Sequence, residues 1–149
     1  MNECSDRNTL KIEKIQERGL RLIFGFGDMS YSDMCKSAGV DLLYISRLKN
    51  LSMLVYRSVH EIGPKYLHDL FHMKENVYEL KNETCVTQPR VDSTTYGLKS
   101  LRYHGSVVWN NLPNELKNCV SEIEFKSLLR TWDGPSCQCG FCILCKINL

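Results

Sequence analysis

Apolar residues recur at spacings of three and four along much of this chain, and glycine and proline cut the pattern into short segments. That period belongs to helices rather than strands, so it commits most of the sequence to an α-helical core. Ile12, Ile15, Gly19, Leu22 and Phe26 define one face of a helix over about residues 9–26, and Gly25 and Gly27 end it. Ser30 can cap a short second helix, with Asp33 at the capping-box position and Gly39 as its stop. A third helix over about 41–61 places Leu48, Leu51, Val55 and Val59 on its buried face. Gly63 and Pro64 break it, and Pro64 suits the first turn of a short helix through Phe71.

The second half changes character. Residues 76–98 hold Val77, Tyr78, Thr84, Val86, Thr87, Val91, Thr94, Thr95 and Tyr96 with Pro89 among them, which favours extended chain or a short edge hairpin. Leu101, Val108 and Leu112 predict another helix, in which Gly105 allows close packing and Pro113 stops it or starts the next turn. Ser121 and Glu124 make a capping box ahead of Phe125, Leu128, Leu129 and Trp132, and Gly134 and Pro135 terminate that helix. The expected fold is therefore mainly α. It is a compact helical unit over residues 1–135 with a small extended or β-hairpin element, followed by a Cys-rich tail over 136–149.

Composition narrows the setting. With 43% hydrophobic and 24% charged residues in 149, the chain resembles an ordinary globular protein and not a disordered one. A net charge of +2 is too mild to predict nucleic-acid binding by itself. No apolar run approaches the ~18 residues of a membrane span, and Met1 to Arg7 contain no apolar leader segment. These features predict an intracellular, reducing setting in cytoplasm or nucleus with no membrane partner, where clustered cysteines more often bind metal than form disulfides.

Enzyme motifs are missing from the sequence. There is no Gly-x-x-x-x-Gly-Lys phosphate loop and no Gly-x-Ser-x-Gly elbow. Gly25-Phe26-Gly27-Asp28 lacks a third glycine and follows a helix, so it reads as a helix stop. Asp28, Asp33, Asp41, Asp69 and Asp92 are scattered, whereas two-metal phosphoryl transfer needs carboxylates that share ions ~4 Å apart. His68 and His72 stand four apart, but Asp69 replaces the glutamate a zinc hydrolase would place there; surface or partly buried histidines are the simpler reading, for His60 and His104 as well. No catalytic residue and no small-molecule substrate are expected.

Two constellations carry chemistry. Lys11, Lys14, Arg18 and Arg21 repeat at three, four and three, forming a basic stripe roughly 100° from the apolar one. A solvated face is the plain reading; a surface that tracks phosphates, each cation displacing a counterion, is the functional one. Arg47, Lys49 and Arg102 can extend it, as can Arg90 and Lys99 near Tyr96 and Tyr103, whose rings suit stacking on single-stranded bases. The second constellation is Cys137, Cys139, Cys142 and Cys145, four thiols within nine residues, the ligand number of a Cys4 zinc site. The tight Cys137-x-Cys139 spacing demands a sharply folded loop or a ligand from elsewhere, such as Cys119 or His104. Zinc, an iron–sulfur cluster and a free reduced tail all remain open.

Taken together, several segments resemble one family, the C-terminal region of reverse transcriptases from non-LTR retrotransposons of animals. They include Lys11-Ile12-Glu13-Lys14-Ile15-Gln16-Glu17-Arg18, Ser30-Tyr31-Ser32-Asp33, Leu42 to Leu48, and Gln88-Pro89-Arg90-Val91 running into Thr95-Tyr96-Gly97-Leu98. The most specific are Ser100-Leu101-Arg102-Tyr103-His104-Gly105 leading to Trp109-Asn110-Asn111-Leu112-Pro113, and Trp132-Asp133-Gly134-Pro135-Ser136-Cys137. The resemblance implies a parent RNA-directed DNA polymerase with an endonuclease and a polymerase palm upstream. The palm's paired aspartates have no counterpart here, so polymerase activity does not carry over. Ser46 stands where the family often has a second arginine, and Gly19 where alanine is more usual. The expected function is a non-catalytic mobile-element fragment with residual RNA or single-stranded DNA binding, its natural partner being the upstream polymerase domain. The alternatives are a zinc-stabilised protein-interaction module, or a translated fragment with no selected function.

Overall fold

A computed structural model describes residues 3–25, 27–74, 84–93, 96–98 and 100–135. Among these the chain is mainly helical, with α1 Glu3–Phe24, α2 Tyr31–Ala38, α3 Leu43–Val59, α4 Lys65–His68, α5 Leu101–Asn110, α6 Asn114–Lys117 and α7 Glu122–Thr131. The caps explain most boundaries. Ser30 Oγ accepts from Asp33 N, its hydroxyl donates to the Asp33 carboxylate, and Gly39 closes α2 at φ 66°. Ser100 caps α5 by accepting from Tyr103 N, and Ser121 caps α7 by accepting from Ile123 N, one residue short of the Glu124 of a capping box. Pro64 and Pro113 immediately precede α4 and α6. α4 ends at His68, so His68 and His72 do not share a helix face.

α3 is the axis of the packing, with α5 and α7 against it. Val55, Tyr56, Phe71, Val86, Trp109, Leu112, Leu116, Phe125 and Leu129 form the main core. Tyr56 stacks on Phe125 with ring centroids 4.3 Å apart. The expected hairpin over 76–98 reduces, among the described residues, to one antiparallel bridge between Met73 and Val86, and residues 75–83 lie outside them. Lys74 N donates to Cys85 O and Thr87 N to His72 O, both at 2.8 Å. On its other side Val86 is held by a side chain imitating a strand: its N–H donates to Asn110 Oδ1 at 2.8 Å, and Asn110 Nδ2 donates to Val86 O at 3.0 Å. Val86 can therefore be fully buried with its backbone satisfied.

α1 differs from expectation. Leu20 is the buried residue of its described side chains, packed with Met34 and Cys35 of α2. Ile12, Ile15 and Leu22 of the apolar stripe point to solvent, Ile15 66% and Leu22 77% exposed. The reason is a polar tether. Leu42, the residue before α3, makes no capping side-chain bond, and Glu13 of α1 supplies the cap instead. Tyr44 N donates to Glu13 Oε1 at 2.9 Å and Tyr31 Oη to Glu13 Oε2 at 2.8 Å. Gln16 Nε2 donates to Asp41 O at 3.1 Å. Glu13, Gln16 and Leu20 are three and four apart, so they share a face and turn the apolar stripe about 100° away from the body. A carboxylate at a helix N-terminus also complements its dipole.

Candidate nucleic-acid interface

The same tether sets the basic stripe. Lys11, Lys14 and Arg18 are exposed, and among the described residues none has a carboxylate partner. They form a row about 10 Å long on one side of α1. Arg21 differs: its guanidinium meets Glu17 one turn back at 2.7 Å, with both side chains about a third exposed. An exposed i, i+4 pair adds only a few tenths of a kcal/mol, about 0.3–0.5, but it neutralises the charge locally.

The outlying cations separate. Arg47 on α3 and Arg102 on α5 are exposed, as are Arg90 and the Tyr96 ring, while Lys99 lies outside the described residues. Lys49 is engaged within the fold. Its ammonium donates to Asp41 Oδ2 at 2.8 Å and to Arg130 O at 2.9 Å, which ties α3 to the C-terminal turn of α7. A cation at the last carbonyls of a helix is a structural device, so Lys49 leaves the set of cations offered to a ligand.

Sequence reasoning missed a second basic surface. An open groove of about 620 Å³ runs between α3 and α7, with Met53 and Leu129 in its lining and Lys126 and Arg130 on its rim. Those two cations stand four apart on α7, a spacing that was visible in the sequence but masked by the capping-box reading of that segment. Arg57, also in the groove, is paired with Glu122 at 2.5 Å.

The buried titratable groups have structural explanations. Burial, with the Glu13 carboxylate beside it, pushes the Tyr31 phenol far above its usual range. Burial likewise raises the Cys35 and Cys119 thiols. Cys119 donates to Glu115 O at 3.3 Å from inside the core. Cys35, Cys85 and Cys119 are free thiols, and no group of three or more potential metal ligands occurs among the described residues. Cys137, Cys139, Cys142 and Cys145 lie outside the described residues. His68 Nε2 is bonded to Gly63 O at 2.7 Å.

Lys117 is buried at the end of α6, where its ammonium donates to Asn110 O at 2.9 Å and burial lowers its pKa. The folded state then holds this proton less tightly than the unfolded chain. Stability is lowest while the folded amine is protonated, and rises as pH climbs through the lowered pKa towards the ordinary value of about 10.4. Lys117→Met should flatten that alkaline rise in urea denaturation; an unchanged slope would mean another group produces it.

No described helix is long and apolar enough to cross a membrane. No protein-family model, curated protein or solved structure matches this chain.

Proposed function

We propose that the chain is a non-catalytic helical module that contacts RNA or single-stranded DNA, of the kind that follows the palm in non-LTR retrotransposon reverse transcriptases. The observation that carries the nucleic-acid part is the row of Lys11, Lys14 and Arg18, exposed and without carboxylate partners among the described residues. Arg47 and Arg102 supply further exposed cations on α3 and α5, and Tyr96 an exposed ring. Such a surface neutralises backbone phosphates and reads little sequence, so binding is salt-sensitive and tolerant of base identity. The family assignment rests on the Trp109-Asn110-Asn111-Leu112-Pro113 and Trp132-Asp133-Gly134-Pro135 elements. The reading assigns the chain no catalytic step of its own.

The test is a salt series with a labelled single-stranded RNA. Replacing Lys11, Lys14 and Arg18 together by alanine should reduce the slope of log affinity against log salt by about 2, at roughly 0.7 per phosphate contact on a single strand. Arg21→Ala alone should change it by less than one contact, because Glu17 already occupies that charge. A slope untouched by the triple substitution rejects the interface.

A second reading, a protein-interaction module, is favoured by one observation: the apolar stripe of α1 is exposed.

A further inference from the structure

We infer that the outward stripe of α1 is a docking seam for a partner protein's α-helix whose own apolar stripe is edged by carboxylates. The spacing identifies the occupant as a helix. Ile12, Ile15, Gly19 and Leu22 repeat at three, four and three, the interval of a coiled-coil seam, and all four are exposed. Ile23 lies exposed beside them. A groove for extended chain or a flat platform would not repeat at this interval.

Charge identifies the edge. Lys11 and Arg18 each precede a seam residue by one position, the place where paired helices carry the charges that choose a partner. Neither has a carboxylate partner among the described residues. The opposite edge is formed by Gln16, already bonded to Asp41 O, and Ile23. Paired seam to seam, a second copy of this chain offers these two cations no opposite charge. Parallel pairing sets Lys11 and Arg18 against Gln16 and Ile23, and antiparallel pairing sets the cations against each other. A helix bearing Glu or Asp along one edge satisfies them.

Gly19 gives an independent reason. It sits in the middle of the seam, its backbone is ordinary helix, and a Cβ there would meet nothing within 4 Å. Nothing among the described residues requires glycine at this position, where it weakens the helix. Close approach of a second backbone does require it. A bare glycine also argues against a bilayer as the occupant, since interfacial helices bind in proportion to the apolar area they bury.

The seam shares Lys11 and Arg18 with the nucleic-acid reading, and the test separates the two through Ile15, Leu22 and Lys14. Two labelled helical peptides of about three heptads, with the same leucine seam and either Glu or Lys on both edges, are titrated against the full chain. The Glu-edged peptide should bind at least about tenfold more tightly, and the double substitution K11E/R18E should reverse the preference. I15Q/L22Q should abolish peptide binding while leaving helix content and the RNA salt slope unchanged, because both side chains are exposed and glutamine adds no charge beside the cations. K14A should lower the RNA slope and leave peptide binding intact. Equal affinity for the two peptides overturns the inference, as does binding that survives I15Q/L22Q. So does self-association of the wild-type chain that I15Q/L22Q removes, or tighter binding to phosphatidylserine vesicles than to the Glu-edged peptide.

Discussion

Replacing Trp109 by alanine should destabilise the fold by about 3–5 kcal/mol, read as a fall in the urea midpoint with loss of near-ultraviolet ellipticity. That is a large share of the ~5–15 kcal/mol that holds a domain of this size together. The indole is 1% exposed, with ring centroids 6.5 Å from Tyr56 and 6.2 Å from Phe125. Its Nε1 donates to Thr84 O at 2.8 Å. Truncation therefore removes the link between α3, α5 and α7 and leaves a part-buried carbonyl without a donor, the latter worth about 1–3 kcal/mol where water cannot replace it. Trp109→Phe separates the two effects: it keeps most of the packing and should cost mainly the hydrogen bond. If Trp109→Ala costs less than about 1 kcal/mol, the aromatic cluster is not the centre of this fold.

The same region shows what was legible in the sequence and why. Trp109-Asn110-Asn111-Leu112-Pro113 stood out as a pattern, but its physical content needed the fold. Trp109 reaches Thr84, Asn110 clamps Val86, Leu112 enters the core and Pro113 precedes α6. Those contacts span 24 and 25 residues, so no local rule reveals them. Ser30, Gly39, Ser100 and Pro64 act on their immediate neighbours, and there local chemistry suffices. The orientation of α1 was not legible. Hydrophobic spacing points Ile12, Ile15 and Leu22 inward, but the Glu13 carboxylate at the start of α3 reverses that, and its partners Tyr31 and Tyr44 lie 18 and 31 residues away. Spacing alone puts Lys11, Lys14 and Arg18 on one side of α1, where all three are exposed. It could not show that Lys49 holds the end of α7, since that bond joins residues 81 apart.

Two glycines in helices should respond to alanine with opposite sign, and the difference tests the packing directly. At Gly105 a Cβ would lie 2.5 Å from both Cε1 and Cζ of Phe71 and 3.0 Å from Val55 Cγ2. Phe71 and Val55 are themselves buried in the main core, so the ring has little room to retreat. Overpacking of this kind costs about 1–3 kcal/mol, sometimes more, against which alanine's better helix propensity returns only about 1 kcal/mol. Gly105→Ala should therefore be net destabilising, and Gly105→Val, which adds two methyls and loses rotamer freedom in a helix, should approach or exceed 3 kcal/mol. At Gly19 the Cβ meets open space, so Gly19→Ala should raise stability by up to about 1 kcal/mol. Urea denaturation of the three variants, compared at constant slope so that only the midpoint reports stability, reads all of these. Stabilisation by alanine at both glycines would mean that α5 does not approach Phe71 as closely as Gly105 permits. In that event the close contact of α3 with α5, and the position of Arg102 one turn before it, would have to be redrawn.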